Sequence, residues 1–129
     1  MVKISSKNKY KDKDIALIII EKEIEGKKEI EGKIIINYLG RFDSISINSQ
    51  IENSSDVFTY IEFEDKKINH PFARLSIFKK DIQDPKTIKF KAFTDHVPKN
   101  TESNVKFRVT LIQEHKEIAS DVKFIKIKK

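Results

Sequence analysis

Histidine and aspartate are the side chains of this sequence best suited to catalysis or metal binding, and most of them fall between apolar segments. The histidines, His70, His96 and His115, are separated by 26 and 19 residues and lack the short ligand spacing of a zinc site. His96 follows Asp95, so this pair could act as a base and its orienting acid, but the sequence identifies no third partner. We therefore predict that the histidines lie at the surface, without a metal and without a catalytic role.

Aspartates are the other candidate ligands, because six of them stand near the ends of predicted strands. They are Asp43, Asp56, Asp65, Asp81, Asp84 and Asp95. A Ca²⁺ site would need several of these carboxylates at one end of the fold, since the ion takes six to eight oxygen ligands. Lysines flank Asp81 and Asp84, however, and aspartate is a frequent turn former. The prediction is that these aspartates shape turns and that no metal is bound.

The stretch NYLGRFDSISI, residues 37–47, has the densest pattern in the chain. A tight turn at Leu39-Gly40 would end one strand at Tyr38 and open the next at Arg41. Arg41 and Asp43 would then share one face and could pair, while Phe42 would face the other side. The sequence predicts a structural corner. If its polar face is uncovered, Tyr38, Arg41 and Asp43 form a patch for a partner.

The motifs of several enzyme classes are absent. The only glycines are Gly26, Gly32 and Gly40, so neither a phosphate-binding loop nor a dinucleotide fingerprint can be formed. The chain lacks the Gly-x-Ser-x-Gly motif of a nucleophile elbow, and it has no cysteine for a disulfide or a thiolate metal site. We predict a protein that is not an enzyme, with no cofactor and no small-molecule substrate.

The composition favours β-structure. The chain has 22 Ile against 4 Ala and 4 Leu, and β-branched side chains pack well on pleated surfaces. The predicted fold class is all-β, a single antiparallel β-sandwich of about seven to eight strands, immunoglobulin-like or arrestin-like. Usage rich in Ile and Lys and poor in Ala also indicates an AT-rich genome, and is compatible with a thermophile.

Eight apolar segments have the spacing of sandwich strands. They cover residues 14–25, 29–38, 41–51, 57–64, 72–79, 87–94, 104–113 and 118–127. The first segment is also compatible with a helix capped by Asp14, but its isoleucines favour a strand. The near-repeat EIEGK predicts a hairpin turning at Gly26-Lys27-Lys28, with Gly32 marking a bulge or bend.

The distribution of charge along the chain predicts how it is divided and what it could bind. Residues 1–13 carry five Lys and one Asp and are predicted as a polar, basic leader before one domain at residues 14–129. The lysine-rich ends leave open an alternative function, binding to nucleic acid or to an anionic membrane surface. The longest apolar run, residues 15–20, is too short to cross a bilayer. We expect a cytoplasmic protein.

The polar connections are where a partner is expected to bind. The longest, residues 94–104, contains the candidate contact residues Asp95, His96, Lys99 and Asn100. An exposed sheet edge is the other candidate, either for strand addition by a partner or for a homo-oligomer formed by edge-strand pairing. The leading hypothesis is a non-enzymatic, intracellular protein–protein interaction or scaffold module whose protein partner the sequence does not identify.

Two segments carry a resemblance to known families. EIEGKIII at residues 29–36, followed by a glycine turn and an alternating strand, resembles the early strands of arrestin-like domains. The closing hairpin, NVKFRVTLIQEHKEIASDVKFIKI, is similar to those of arrestin-like and immunoglobulin-like sandwiches. The two segments cover under half of the chain, and no functional residue carries over. The resemblance implies a scaffold or cargo adaptor rather than an enzyme.

Overall fold

The computed structural model describes residues 13–25, 29–83 and 86–129 of the chain. Within these ranges the regular structure is ten β-strands and one short 3₁₀ turn. The strands are β1 (Ile15–Ile19), β2 (Glu23–Glu25), β3 (Glu29–Ile36), β4 (Ser44–Ile51), β5 (Thr59–Phe63), β6 (Lys66–His70), β7 (Arg74–Phe78), β8 (Thr87–Phe93), β9 (Glu102–Gln113) and β10 (Lys116–Lys128), and the 3₁₀ turn is Lys79–Asp81. Nowhere in the described ranges is there a helix with the length and apolar character that a membrane crossing requires.

The strands form two five-stranded sheets around one core. Sheet A has the order β1-β3-β8-β5-β6, and sheet B has the order β2-β10-β9-β4-β7. The predicted all-β sandwich is confirmed, but the predicted seven to eight strands are too few. One pair, β2 with β10, is parallel, so the sheets are not antiparallel throughout. The finer assignment to an immunoglobulin-like or arrestin-like sandwich stays a prediction.

The segment predicted as one strand over residues 14–25 forms two strands in different sheets. β1 pairs with β3 in sheet A, whereas β2 pairs with β10 in sheet B. Strand is therefore confirmed against the helical alternative. The single continuous strand is wrong, because the polar residues Glu21 and Lys22 interrupt the apolar run where the chain crosses between sheets.

β3 lies between β1 and β8, and its pairing corrects two predictions. The predicted turn at residues 26–28 lies outside the described residues, but a β2–β3 hairpin is wrong because these strands belong to different sheets. Gly32 is not a bulge, since its register with both neighbouring strands is continuous. A Cβ at Gly32 would lie 2.2 Å from Cζ of Phe90, so this glycine makes room for a buried ring.

β6 falls in residues 65–71, between the predicted strand segments 57–64 and 72–79. Its only large apolar side chain is that of Ile68, and it lies at the edge of sheet A, so it lacks the apolar pattern of an inner strand. The turn before it places Glu64 and Asp65 at φ angles of 51° and 66°. Two positive φ angles match the twist of paired strands and allow a tight hairpin with β5.

The other hairpin, between β9 and β10, turns between the last two segments that the sequence predicts as strands. Glu114 and His115 have φ angles of 49° and 66°, the same geometry as in the β5–β6 turn. β9 and β10 pair along almost their whole length, with one irregularity between Glu117 and Ala119. This hairpin is the longest paired unit of the molecule and supplies the centre of sheet B.

Alternation along β9 places one face in the core, as the sequence predicts. Val105, Phe107, Val109 and Leu111 are buried. Phe107 packs edge to face against Phe58, with 5.0 Å between the ring centroids. The side chains that alternate with these four, such as Arg108, point to the outer face of sheet B.

Candidate functional site

A cleft of about 370 Å³ opens at one end of the sandwich, between the β4–β5 and β8–β9 connections. We call it the loop cleft. Its lining residues are Glu52, Asn53, Ser54, Ser55, Asp56, His96, Val97, Lys99, Asn100, Glu102 and Ser103. Three of the predicted contact residues, His96, Lys99 and Asn100, thus line one cavity. The fourth, Asp95, is exposed beside it.

Hydrogen bonds tie the two connections to the sandwich and to each other. The backbone N–H of Glu52 donates to the carbonyl of Asn104 over 2.9 Å, which joins the end of β4 to β9. The buried hydroxyl of Thr94 donates to the carbonyl of Val57 over 3.1 Å and accepts from the N–H of His96 over 3.2 Å. The walls of the loop cleft are therefore held by backbone as well as side-chain contacts.

His96 connects both sides of the loop cleft. Its side chain is 7% exposed, with Nδ1 2.8 Å from Oδ2 of Asp56 and Nε2 3.0 Å from Oγ of Ser103. An ionised carboxylate can only accept, so Nδ1 carries the proton, and Nε2 shares a hydrogen bond with the Ser103 hydroxyl. We call this group of three residues the His96 clasp. The prediction of a surface His96 beside Asp95 is wrong, because Asp56 supplies the partner from another loop.

The clasp places a negative charge at the rim of the cleft. The hydrogen bond from His96 holds the pKa of the Asp56 carboxyl below its ordinary value, against the opposing effect of burial. The Asp56 side chain is 59% exposed, so water screens its attraction to the ring. The hydroxyl of Ser54 accepts from the Asp56 N–H over 2.9 Å and fixes the backbone of this loop.

The order Asp56, His96, Ser103 is that of an acid–base–nucleophile relay, but the exposure of the three residues argues against catalysis. A nucleophile must reach its substrate, whereas the acid that orients the base is normally buried. Here the exposures are reversed, with Ser103 at 7% and the Asp56 side chain at 59%. The clasp fits a structural connection that fixes the shape of the cleft.

The acidic residues of the cleft are occupied by internal partners. Oε1 of Glu102 lies 2.7 Å from Nζ of Lys128, and Oε2 lies 3.1 Å from Nζ of Lys126. The hydrogen bonds from Lys128 and then Lys126 hold the pKa of Glu102 below its ordinary value. Within the described part of the chain, the side chains of Lys99 and Asn100 have no such partner, and Val97 is 56% exposed. These three are the exposed groups that the 94–104 connection offers to a ligand in the cleft.

The corner at residues 37–43 lies at the other end of β4 and differs from its prediction. It joins β3 of sheet A to β4 of sheet B, so it crosses between sheets and is not a tight strand–turn–strand hairpin. Arg41 does not pair with Asp43, whose Oδ2 instead accepts from the Glu114 N–H over 2.6 Å. The carboxylate finds a backbone donor in the β9–β10 turn, because that turn packs against the end of β4.

Phe42 closes this corner. It is buried, and Nζ of Lys79 lies 4.8 Å from the centre of its ring. Tyr38 lies over Gly40, where a Cβ would come within 2.5 Å of the phenol oxygen.

β4 separates the corner from the loop cleft by about 24 Å, at 3.4 Å per residue. The predicted contact residues therefore form two distant surfaces and not one.

The remaining candidate ligands do not converge. Nε2 of His70 lies 2.6 Å from the carbonyl oxygen of Arg74, and His115 is exposed in the β9–β10 turn. Asp84 lies outside the described residues. Among the residues that the structure describes, no group of three or more His, Cys, Asp or Glu side chains could hold a metal ion.

Comparisons with known proteins relate the chain to others by fold. No protein-family model matches it, and neither does the sequence of any curated protein. Among solved structures it is similar to the enterotoxigenic E. coli adhesin CfaE, with a TM-score of 0.58 and 13% identity over 88% of this chain and 48% of that one. The likeness is one of fold. The chain thus spans about half the length of the adhesin.

Two further solved structures match over nearly their whole length. The human F-spondin reeler domain has a TM-score of 0.54 and 11% identity, covering 89% of each chain. A conjugative transposon lipoprotein from Bacteroides eggerthii has a TM-score of 0.51 and 7% identity, covering 90% of this chain and 98% of that one. At such identities these matches describe the architecture alone.

The sequence predicts part of the loop cleft and misses the clasp. Residues 94–104 stand out as the longest polar connection, which identifies His96, Lys99 and Asn100. Asp56 is read only as a turn former, and Ser103 lies in the same predicted connection as His96 but is not among its candidate contact residues. Asp56 and Ser103 are 40 and 7 residues from His96, and no periodic pattern relates positions across a sandwich. Only the pairing of sheets brings them together.

Proposed function

We propose that this protein is a non-enzymatic, intracellular protein-binding module that contacts a protein partner through the loop cleft. The observation that carries this proposal is the contrast within the cleft. The His96 clasp and the Glu102 ion pairs hold its walls, while Val97, Lys99 and Asn100 present an apolar group, a cation and an amide to solvent.

Pre-organisation is the physical reason why such a cleft suits binding. Ordering a loop on association costs roughly 0.5–1.5 kcal/mol for each immobilised side chain. The hydrogen bonds of Thr94 and His96 already order these loops in the free protein. The entropic cost of ordering them is therefore not added when a partner binds. An apolar group beside polar ones matches the apolar core and polar rim of protein–protein interfaces.

The comparisons support the proposal at a coarse level. One similar structure is an adhesin, another a reeler domain and a third a lipoprotein, and none of these three is named as an enzyme. The lack of cysteine is consistent with work inside the cell, where disulfides are rare. An arrestin-like adaptor role, as the sequence resemblance implies, is the finer form of the same proposal.

The lysine-rich ends are the weaker candidate for binding. Residues 1–12 lie outside the described residues. At the other end, Lys126 and Lys128 form ion pairs with Glu102, and Lys128 also approaches Glu23 at 3.9 Å. These pairs reduce the positive charge that nucleic acid or an anionic membrane would meet.

The test is a tagged pull-down that identifies the partner, followed by calorimetric titration with the purified partner. The variant Val97→Ser/Lys99→Ser/Asn100→Ser removes the three exposed groups and keeps the buried His96 and Pro98. The matched control is Leu39→Ser/Arg41→Ser at the corner, which also changes exposed residues. We expect the cleft variant to lose affinity by tenfold or more, on the order of 1.4 kcal/mol, and the control to bind normally.

Equal binding by the cleft variant and the wild-type protein would overturn the proposal. Circular dichroism and urea unfolding of both variants separate loss of contact from loss of fold. Deletion of residues 1–11 provides the third arm. If only that deletion abolishes binding, and only at low salt, the lysine-rich alternative is correct.

A further inference from the structure

A second cavity, of about 380 Å³, lies on the outer face of sheet B. We call it the arginine groove. Its lining residues are Ser46, Asn48, Arg74, Arg108, Thr110, Ile112, His115 and Glu117. None of these residues lines the loop cleft, so the two cavities are separate sites.

Strand register explains how the groove is built. Asn48 of β4 pairs with Arg74 of β7 on one side and with Arg108 of β9 on the other, which puts the three in one row across the sheet. The next row is polar as well, with Ser46 between Ser76 and Thr110. At a strand spacing of about 4.8 Å, the two arginine Cα atoms are about 10 Å apart. That separation lets both guanidinium groups reach one ligand above Asn48.

The choice of arginine at these two positions is informative in this chain. The sequence has 23 Lys and only 3 Arg, at positions 41, 74 and 108. Lysine supplies nearly all of the positive charge in the rest of the chain. Arginine differs because its planar group presents paired N–H donors that match the two oxygens of a carboxylate, sulfate or phosphate. Two of the three arginines flank this single groove.

The two guanidinium groups have different surroundings. Nη2 of Arg108 donates to Oε2 of Glu117 over 2.6 Å, and its Nη1 donates to the hydroxyl of Thr110 over 3.2 Å. Arg108 is therefore held in place, and Glu117 demonstrates that a carboxylate fits against it. In the described part of the chain, the guanidinium of Arg74 has no hydrogen-bond or ion-pair partner. The groove thus holds two cations and one compensating carboxylate.

We propose that the arginine groove is an oxyanion-binding site for a carboxylate, sulfate or phosphate group. The oxyanion lies between Arg74 and Arg108 and accepts from the amide of Asn48 beneath it. Glu117 already occupies one edge of Arg108 and competes with the ligand for it. This site is independent of the loop cleft and of the function proposed for that cleft.

The experiment is an NMR titration of the ¹⁵N-labelled full-length protein with sodium acetate and, separately, sodium sulfate. Ionic strength is held constant with chloride, so that general screening does not change. We expect saturable shifts of the Asn48, Arg74, Arg108 and Thr110 signals. Acetate tests binding of a planar carboxylate, and sulfate tests binding of a tetrahedral oxyanion. Saturable shifts with either ion support the site.

Three variants decide whether the groove is responsible. Arg74→Gln is expected to weaken binding about tenfold or more, because it removes one charge-assisted donor pair. Glu117→Gln is expected to strengthen binding, because the competing carboxylate is gone. Arg41→Gln is the matched control at the corner and should bind as the wild-type protein does.

Equal affinity for Arg74→Gln and Arg41→Gln would overturn the proposal. So would shifts that fail to saturate, or that spread over the lysines of the whole surface. The dispersion of the amide spectrum reports folding for every variant. If Arg74→Gln is misfolded, Asn48→Asp replaces it, and its added negative charge at the centre of the groove should abolish binding.

Discussion

The two ends of β4 carry the most distinctive loops of the molecule, and they use their polar residues in opposite ways. At one end, the corner of residues 37–43 turns its carboxylate to a neighbouring backbone and closes over Phe42. At the other end, the loop cleft uses buried polar contacts to hold a cavity open. The corner has the richer sequence pattern, yet the cavity lies at the other end of β4.

The difference shows that a polar residue in a loop indicates function only when its hydrogen-bond partners within the protein are known. Asp43 and Asp56 look alike in sequence, since both are aspartates between strands. Asp43 caps a turn, whereas Asp56 orients a ring that connects two loops and a strand. The structural corner and the candidate site both contain an aspartate. They differ in the group that the carboxylate contacts.

The largest expected effect tests whether the corner is structural. Phe42→Ala removes a buried ring and should lower the free energy of unfolding by about 3–5 kcal/mol. Leu39→Ala, in the same corner, changes a side chain that is 97% exposed and should alter stability by less than about 0.5 kcal/mol. Urea unfolding of both proteins measures the difference. Equal stabilities would mean that Phe42 does not close the corner.

A smaller effect tests the His96 clasp. Asparagine at position 96 is too short to reach both Asp56 and Ser103, so His96→Asn should cost about 1–3 kcal/mol, the price of an unsatisfied buried polar group. Hydrogen exchange should rise in residues 52–58 and 94–103 and stay unchanged in residues 37–43. His115→Asn, in an exposed turn that asparagine tolerates, is the control. Faster exchange at both ends of β4 would contradict a local clasp.

The next effect concerns the carboxylate of the corner. Asp43→Ala leaves the Glu114 N–H without its acceptor and should lower stability by about 0.5–1.5 kcal/mol. Asp95→Ala, beside the cleft, changes an exposed aspartate and serves as the comparison. Thermal unfolding of the two variants is the measurement. A larger loss for the Asp95 variant would reverse the roles assigned to the two aspartates.

The smallest effect is the pH dependence that Asp56 contributes. Its pKa in the folded protein lies below the ordinary value of 3.8, because the ionised form is bound to His96. A depressed pKa adds stability above the unfolded value, and that stability is lost as the pH falls through the folded value. The free energy of unfolding of the wild-type protein should therefore exceed that of Asp56→Asn above about pH 5, and the difference should shrink in acid. A margin unchanged down to pH 2.5 would contradict the clasp.

Sequence patterns predict much of the sandwich and little of its connectivity. Alternation identifies β8 and β9 because their inward side chains are apolar at every second position. It misses β6, which lies at an edge and carries one large apolar side chain, Ile68. The same pattern predicts one strand over residues 14–25, where the structure has β1 and β2. A run of isoleucines carries no information about the point at which the chain crosses from one sheet to the other. The role of Gly32 depends on Phe90, whose ring reaches it from the next strand.

The candidate site follows the same rule. The sequence indicates residues 94–104 by length and polarity, which are local properties. The clasp is not local, because the Asp56–His96 contact joins two loops and the Ser103 contact joins one of them to β9. The arginine groove is likewise a product of register, since Arg74, Asn48 and Arg108 become neighbours only when β7, β4 and β9 pair.

The central claim is that the partner binds at the loop cleft and not at the corner, and site-specific photo-cross-linking tests it most directly. A photoreactive phenylalanine analogue replaces Asn100 in one protein and the fully exposed Leu39 in another, and each is irradiated with the partner. We predict a cross-linked product at position 100 that unlabelled wild-type protein competes away, and no product at position 39. A product at position 39 alone would contradict the assignment of the binding surface.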